Sequence, residues 1–257
     1  MKKSLNSLIF LFCLTPVGVL AWSSPGQDFN GELILGGSVT NTRNPWAWKL
    51  GEGEGNLDVQ TLREVREKDK RQTVTVNLPA KNILLGKTMF TMPSGREGLI
   101  PRISFGVKED DFSLEWTGEG KALVTLPVWG DGNARAGTFS FRMIAGGVLC
   151  HITNDIYACS ALYDDINSNG LPSQYYMIKP ERTLNTLMSM FSAEAPAWLN
   201  KVKISTSMGV SRYGDLNIHQ ISGAYGAQIV AGSGILRIDD VLLSNWRVSL
   251  PVNIEYQ

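Results

Sequence analysis

Few side chains in this sequence have the types and spacing that support chemistry. Cys150 and Cys159 stand nine positions apart, with His151 beside the first. Two thiols and one adjacent imidazole are soft metal ligands, but they lack the paired-ligand spacing of a zinc site. Asp165, Asn167 and Asn169 alternate before Gly170, as oxygen ligands do in the first half of a calcium loop. The bidentate carboxylate expected at position twelve is absent, because Tyr176 stands there, and Ser173 at position nine reaches an ion only through water. A polar turn built on Asx side chains is the plainer reading. His151 and His219 are the only histidines, and neither lies near a Gly-x-Ser-x-Gly elbow. No glycine-rich phosphate loop precedes a helix, and Asp110-Asp111 and Asp239-Asp240 are candidate acids by composition alone. The expectation is a protein without catalytic residues, bound metal or cofactor.

The elements that carry these residues begin with a targeting segment. Met1-Lys2-Lys3 is basic, Leu8 to Leu14 is apolar, and Val19-Leu20-Ala21 ends in a small-residue cleavage pattern. Cleavage after Ala21 is predicted, so residues 1–21 are a signal peptide and the mature chain is exported and soluble. Cys13 leaves with that segment, and Cys150 and Cys159 are expected to pair as a disulfide in an oxidising compartment. Closing a loop of about ten residues stabilises by roughly 2–3 kcal/mol in the chain-entropy model.

With 24 basic and 24 acidic residues interspersed, the chain shows no footprint for nucleic acid. Hydrophobic content of 43% suits a globular core. Short alternating segments recur at Trp46–Lys49, Thr73–Leu78, Asn82–Thr88, Ile100–Val107, Phe112–Trp116, Ala122–Pro127 and Gly137–Ile144, separated by turn signals. They resume at Val202–Met208, His219–Tyr225, Gln228–Val230, Ile235–Ile238 and Arg247–Tyr256. This pattern indicates an all-β sandwich. Trp46 and Trp48 share a face and suit a buried core or, when exposed, a sugar platform. Asp58 to Arg71 mixes charges and suits a solvated face that could hold a short helix. From about Cys150 to Trp198 the pattern changes. Pro180 stands where a helix begins, and Leu184, Leu187, Met188 and Phe191 recur at helical spacing. An inserted loop-and-helix subdomain over about 150–200 is expected, its apolar stripe packed on the sandwich.

Two terminal stretches alternate most clearly. From Asp28 to Thr40, Phe29, Gly31, Leu33, Leu35, Gly37 and Val39 share one face, and the other is polar apart from Ile34. Near the other end Val248, Leu250, Val252, Ile254 and Tyr256 share a face, with Gln257 following.

The segment Asp28–Thr40 with Trp46–Lys49 resembles the mature start of K88 (F4)-type fimbrial subunits of enteric bacteria. The resemblance continues at Ile83–Thr88, Gly98–Phe105, Lys121–Pro127, Gly223–Tyr225 and Trp246–Tyr256. It is weakest from Cys150 to Gly214, and the major subunit of that family lacks the cysteine pair, so the chain looks more like a minor subunit. The resemblance implies the chaperone–usher route and an incomplete immunoglobulin-like sandwich that lacks its last strand. The strand at Val248–Tyr256 would then border an open acceptor groove. A periplasmic PapD-like chaperone would fill that groove first and contact the carboxylate of Gln257, before hand-over at an outer-membrane usher. The face Phe29–Val39 of a neighbouring fimbrial subunit would replace it. On this reading residues 22–40 are the donor-strand extension, 41–257 form the subunit domain, and the fimbrium lies on the cell surface. The rival reading is an adhesin whose insert binds a host glycan. Tyr157, Tyr163, Tyr175 and Tyr176 are the aromatic candidates, and a glycan array separates the two.

Overall fold

The computed structural model describes residues 44–55, 57–59, 72–107, 111–239 and 245–257. The expected signal peptide, the alternating face Phe29–Val39 and most of the charged run to Arg71 lie outside the described residues.

In chain order the strands are β1 (Trp46–Leu50), β2 (Gln72–Val76), β3 (Asn82–Thr88), β4 (Met92–Ser94), β5 (Pro101–Phe105), β6 (Ser113–Gly118) and β7 (Lys121–Trp129). They continue with β8 (Arg135–Thr153), β9 (Ile156–Tyr163), helix α1 (Pro180–Phe191), β10 (Ile204–Gly209), β11 (His219–Ile229), β12 (Gly234–Ile238) and β13 (Val252–Tyr256). Among the described residues eleven strands form one sheet, and β5 with β13 forms a separate pair. The fold is an all-β sandwich with an inserted helix.

The large sheet is built around β8. Its first half lies between β7 and β12, and its second half between β9 and β11. Phe139, Phe141 and Met143 point into the main core, and Arg142 between them is exposed. That alternation is what one covered face produces. From Ala145 to Cys150 both faces are buried, and the sequence turns continuously apolar or glycine. The reason is α1, which lays Leu187, Met190 and Phe191 on the second face against Val148, Cys150 and Ala224. Pro180 opens the helix as expected, at a position whose N–H has no intrahelical partner.

The structure differs from the sequence reading in three places. Cys150 does not open a loop, because β8 runs through it to Thr153 and turns into β9. Val148–Thr153 pair with Ile156–Ala161, so the cysteine segment belongs to the main sheet. The expected break between Tyr225 and Gln228 is likewise absent, and β11 is continuous. Gly226 lies under α1, where an added Cβ would stand 2.6 Å from the Met190 sulfur, so glycine lets helix and sheet meet. Finally, the strand expected over Arg247–Tyr256 pairs only from Val252. Arg247 makes a single bridge to Trp129. Pro251 has no N–H to donate, and β5 turns away at Gly106 (φ +71°), which together end the ladder.

Cys150 and Cys159 stand directly opposite each other and form a disulfide, both side chains buried. Its removal by Cys150→Ser with Cys159→Ser is expected to cost about 2–3 kcal/mol of stability. The denaturation midpoints of the two proteins, measured side by side, check this.

Candidate functional site

Among the described residues, β5 and β13 form a pair apart from the large sheet. Its register sets Val252 opposite Phe105, Ile254 opposite Ile103 and Tyr256 opposite Pro101. Gly106 N–H donates to the Pro251 carbonyl (2.8 Å), and Gln257 and Ile100 exchange bonds of 3.1 and 3.3 Å. In an antiparallel ladder the residues that bond to the partner alternate with those that face away. Val252, Ile254 and Tyr256 therefore turn their N–H and C=O groups to the other edge, where no described strand pairs with them. On the inner side Val248, Leu250, Val252 and Ile254 pack half-buried against the main core. Leu57, Val59, Ile238, Trp246 and Val248 line a cleft beside the start of this segment. An edge strand with half-covered apolar side chains is a template for another strand.

The other edge of β5 is closed by the loop that resembled a calcium site. Gly170 N–H donates to the Ile103 carbonyl (3.0 Å). The Asn169 amide spans the Phe105 backbone, accepting from its N–H (2.7 Å) and donating to its C=O (2.9 Å). Asp164 accepts from the N–H and hydroxyl of Ser168, and Asp165 from those of Ser211. These oxygens organise a clasp that holds the edge of β5 opposite β13.

Trp46 and Trp48 stack at 5.0 Å with planes 13° apart, flanked edge-on by Tyr213 and Tyr225. Trp48 covers Gly86, where an added Cβ would meet the indole at 2.1 Å. Its Nε1 donates to the Tyr256 hydroxyl (2.8 Å), tying β1 to β13. Burial raises the Tyr256 hydroxyl above its ordinary value, and the indole N–H opposes that shift. This column is core packing rather than a sugar platform. The two ends of the described body also meet. Asn44 donates from its side chain to the Gly98 carbonyl (2.8 Å), and Gly98 N–H donates to the Gln257 carbonyl (2.7 Å).

Of the other candidates, Tyr163 and Tyr176 are half-buried, Tyr157 is exposed, and Tyr175 is 87% exposed with Tyr176 edge-on to it at 4.9 Å. Asp110 and Asp240 lie outside the described residues, and Asp111 accepts from Arg135 (2.7 Å). His219 is exposed at the start of β11. His151 is buried, and its Nδ1 has no hydrogen-bond partner among the described residues. Burial, then the Arg212 guanidinium, push the imidazole below its ordinary value, against a smaller opposing pull from Asp215. The fold therefore favours neutral His151. Its stability is complete above the unfolded value near 6.5 and declines as pH falls from there through the lowered folded value. Thermal midpoints taken between about pH 7.5 and 5 are expected to fall more steeply for the native chain than for His151→Phe.

The family model described as "Fimbrial, major and minor subunit" matches residues 1–257. The chain belongs to the K88 fimbrial subunit family. That is a family of structural subunits rather than enzymes. The chain is 51% identical to the K88 minor fimbrial subunit FaeI of Escherichia coli over 255 residues, which are 99% of this chain and 100% of that one. It is 31% identical to K88 fimbrial protein AB of Escherichia coli over 160 residues, 58% of this chain and 54% of that protein. K88 fimbrial protein AD of the same organism matches at 31% over 161 residues. Likeness to the minor subunit thus runs through the disulfide-bearing stretch and α1 of this K88 family member.

Proposed function

We propose that this protein is a minor fimbrial subunit that assembles by exchanging strands with its neighbours. The observation that supports this reading is the edge of β13 that no described strand pairs with, over a half-covered row of core side chains. The occupant we assign is the face Phe29, Gly31, Leu33, Leu35, Gly37 and Val39 of the next subunit, added as a strand with alternate side chains in the groove. Burying Phe29, Leu33, Leu35 and Val39 at ~1.5–3 kcal/mol each gives a gross gain of roughly 6–12 kcal/mol, before ordering costs.

The ends of the body give this contact a direction. β13 runs towards Gln257, and the segment before residue 44 departs from that same end, because Gly98 bonds to both. A head-to-tail contact places that end against the opposite end of a neighbour and makes an open filament. The incoming segment then reaches β13 from the Val252 end, lies antiparallel to it, and carries Phe29 towards Tyr256. Before assembly a periplasmic PapD-like chaperone covers the same edge, and an outer-membrane usher exchanges it for the donor strand. Incorporation of a Leu33→Asp chain into fimbriae is the test.

A second reading adds adhesion to a host glycan. The 87% exposure of Tyr175 favours it, since packing does not occupy that ring. A glycan array probed with the strand-completed subunit decides it.

A further inference from the structure

We infer that the exposed apolar side chains at the end of the body from which the N-terminal segment departs form a second contact with the neighbouring fimbrial subunit, separate from the exchanged strand. The inference rests on the strand-exchange reading and adds a surface to it. Met89 (64% exposed) and Phe90 bulge out between β3 and β4. Met89 N–H donates to the Pro45 carbonyl (2.9 Å), which holds the bulge beside the departing chain. The neighbouring strand ends carry three more such side chains. His219 pairs with Ser94 on one side and Ile152 on the other, which brings the tip of the β8–β9 hairpin, with Ile156 (68% exposed) and Tyr157, to this end. The bond from Gly95 N–H to the Ile218 carbonyl brings Leu216 (70% exposed) to the same end.

Scattered exposed apolar residues need no explanation, but a cluster on turns at one end does. The turn at the far end of β8 is Gly130-Asp131-Gly132-Asn133, as a solvated turn should be. Chain length identifies the occupant. If Val39 sits in the groove of a neighbour, residues 40–43 leave at most about 18 Å between Val39 and Asn44, even fully extended. The surface of that neighbour must then lie against the end of this body, and the first apolar side chains it meets are those beside Pro45. Tyr and other large apolar side chains are the types that anchor subunit contacts once water is excluded.

The test uses isolated fimbriae from cells making the native chain, Phe90→Ser with Ile156→Ser, or Leu123→Ser. Leu123 is exposed on the flank of the sheet, opposite Arg142 in the middle of β8 and away from both ends, and serves as the control. All three chains should be incorporated. The double variant should be released by denaturant on the order of tenfold faster, and Leu123→Ser at the native rate. Release of the double variant at the native rate overturns the inference, as does equal acceleration by Leu123→Ser. If the double variant does not fold, the single, mostly exposed Met89→Ser carries the same comparison. A Leu33→Asp chain run in parallel separates the two levels. Its normal incorporation refutes strand exchange itself, whereas its exclusion alongside native release of the double variant removes only the second contact.

Discussion

A Leu33→Asp chain is expected to be exported and to bind its chaperone, yet to be missing from isolated fimbriae. Leu33 lies in the middle of the face Phe29–Val39, so the aspartate would enter the groove of the next subunit rather than its own. The substitution removes ~1.5–3 kcal/mol of burial and puts a carboxylate among apolar side chains, at a further cost of several kcal/mol. Together these offset most of the gross gain from the four apolar side chains. Leu35→Asp should behave alike. Immunoblots of sheared fimbriae and of the co-purified chaperone read the two halves of the expectation. Either variant appearing in fimbriae at native levels refutes the donor assignment.

Ile254→Asp is expected to fail one step earlier, with loss of the chaperone complex and degradation in the periplasm. Ile254 stands opposite buried Ile103 and packs half-buried against the main core. A carboxylate there would charge the row of side chains that any added strand must cover, and leave it without a hydrogen-bonding partner. Asn253→Asp adds the same charge one residue away on the exposed side of β13, and should leave the complex intact. Recovering a stable, chaperone-bound Ile254→Asp protein would count against β13 as the acceptor edge.

How much of this was legible in the sequence depended on which faces are covered. Strands with one solvated face announced themselves, as Phe139, Phe141 and Met143 did beside Arg142. From Ala145 to Cys150 the signal vanished because α1 covers the outer face and erases the alternation. Without alternation, the spacing of Cys150 and Cys159 suited a closed loop as well as two paired strands. Gly226 misled in the same way, since nothing local reveals that Met190 needs its missing Cβ. The apolar row from Val248 to Tyr256 was legible, but the ladder is shorter than the row because Pro251 cannot donate. The alternation at Asp165–Gly170 identified a turn but not its task, because Asn169 works on Phe105, sixty-four positions away. The bonds of Trp48 to Tyr256 and of Gly98 to Gln257 join residues still more distant, and had no sequence signal.

The meeting at Gly98 has a mechanical consequence. In a filament linked as proposed, a pull arrives along β13 from the inserted strand and leaves through Asn44. Between them stand the bonds of Gly98 to Gln257 and Asn44, so tension crosses the subunit along its rim. The inserted strand is loaded along its own axis, and its ladder bonds resist together in shear instead of opening one by one. Asn44 also leads directly into β1, so the ladder of β1 to β3 is loaded in shear as well, and the eleven-stranded sheet shares the tension with the inserted strand.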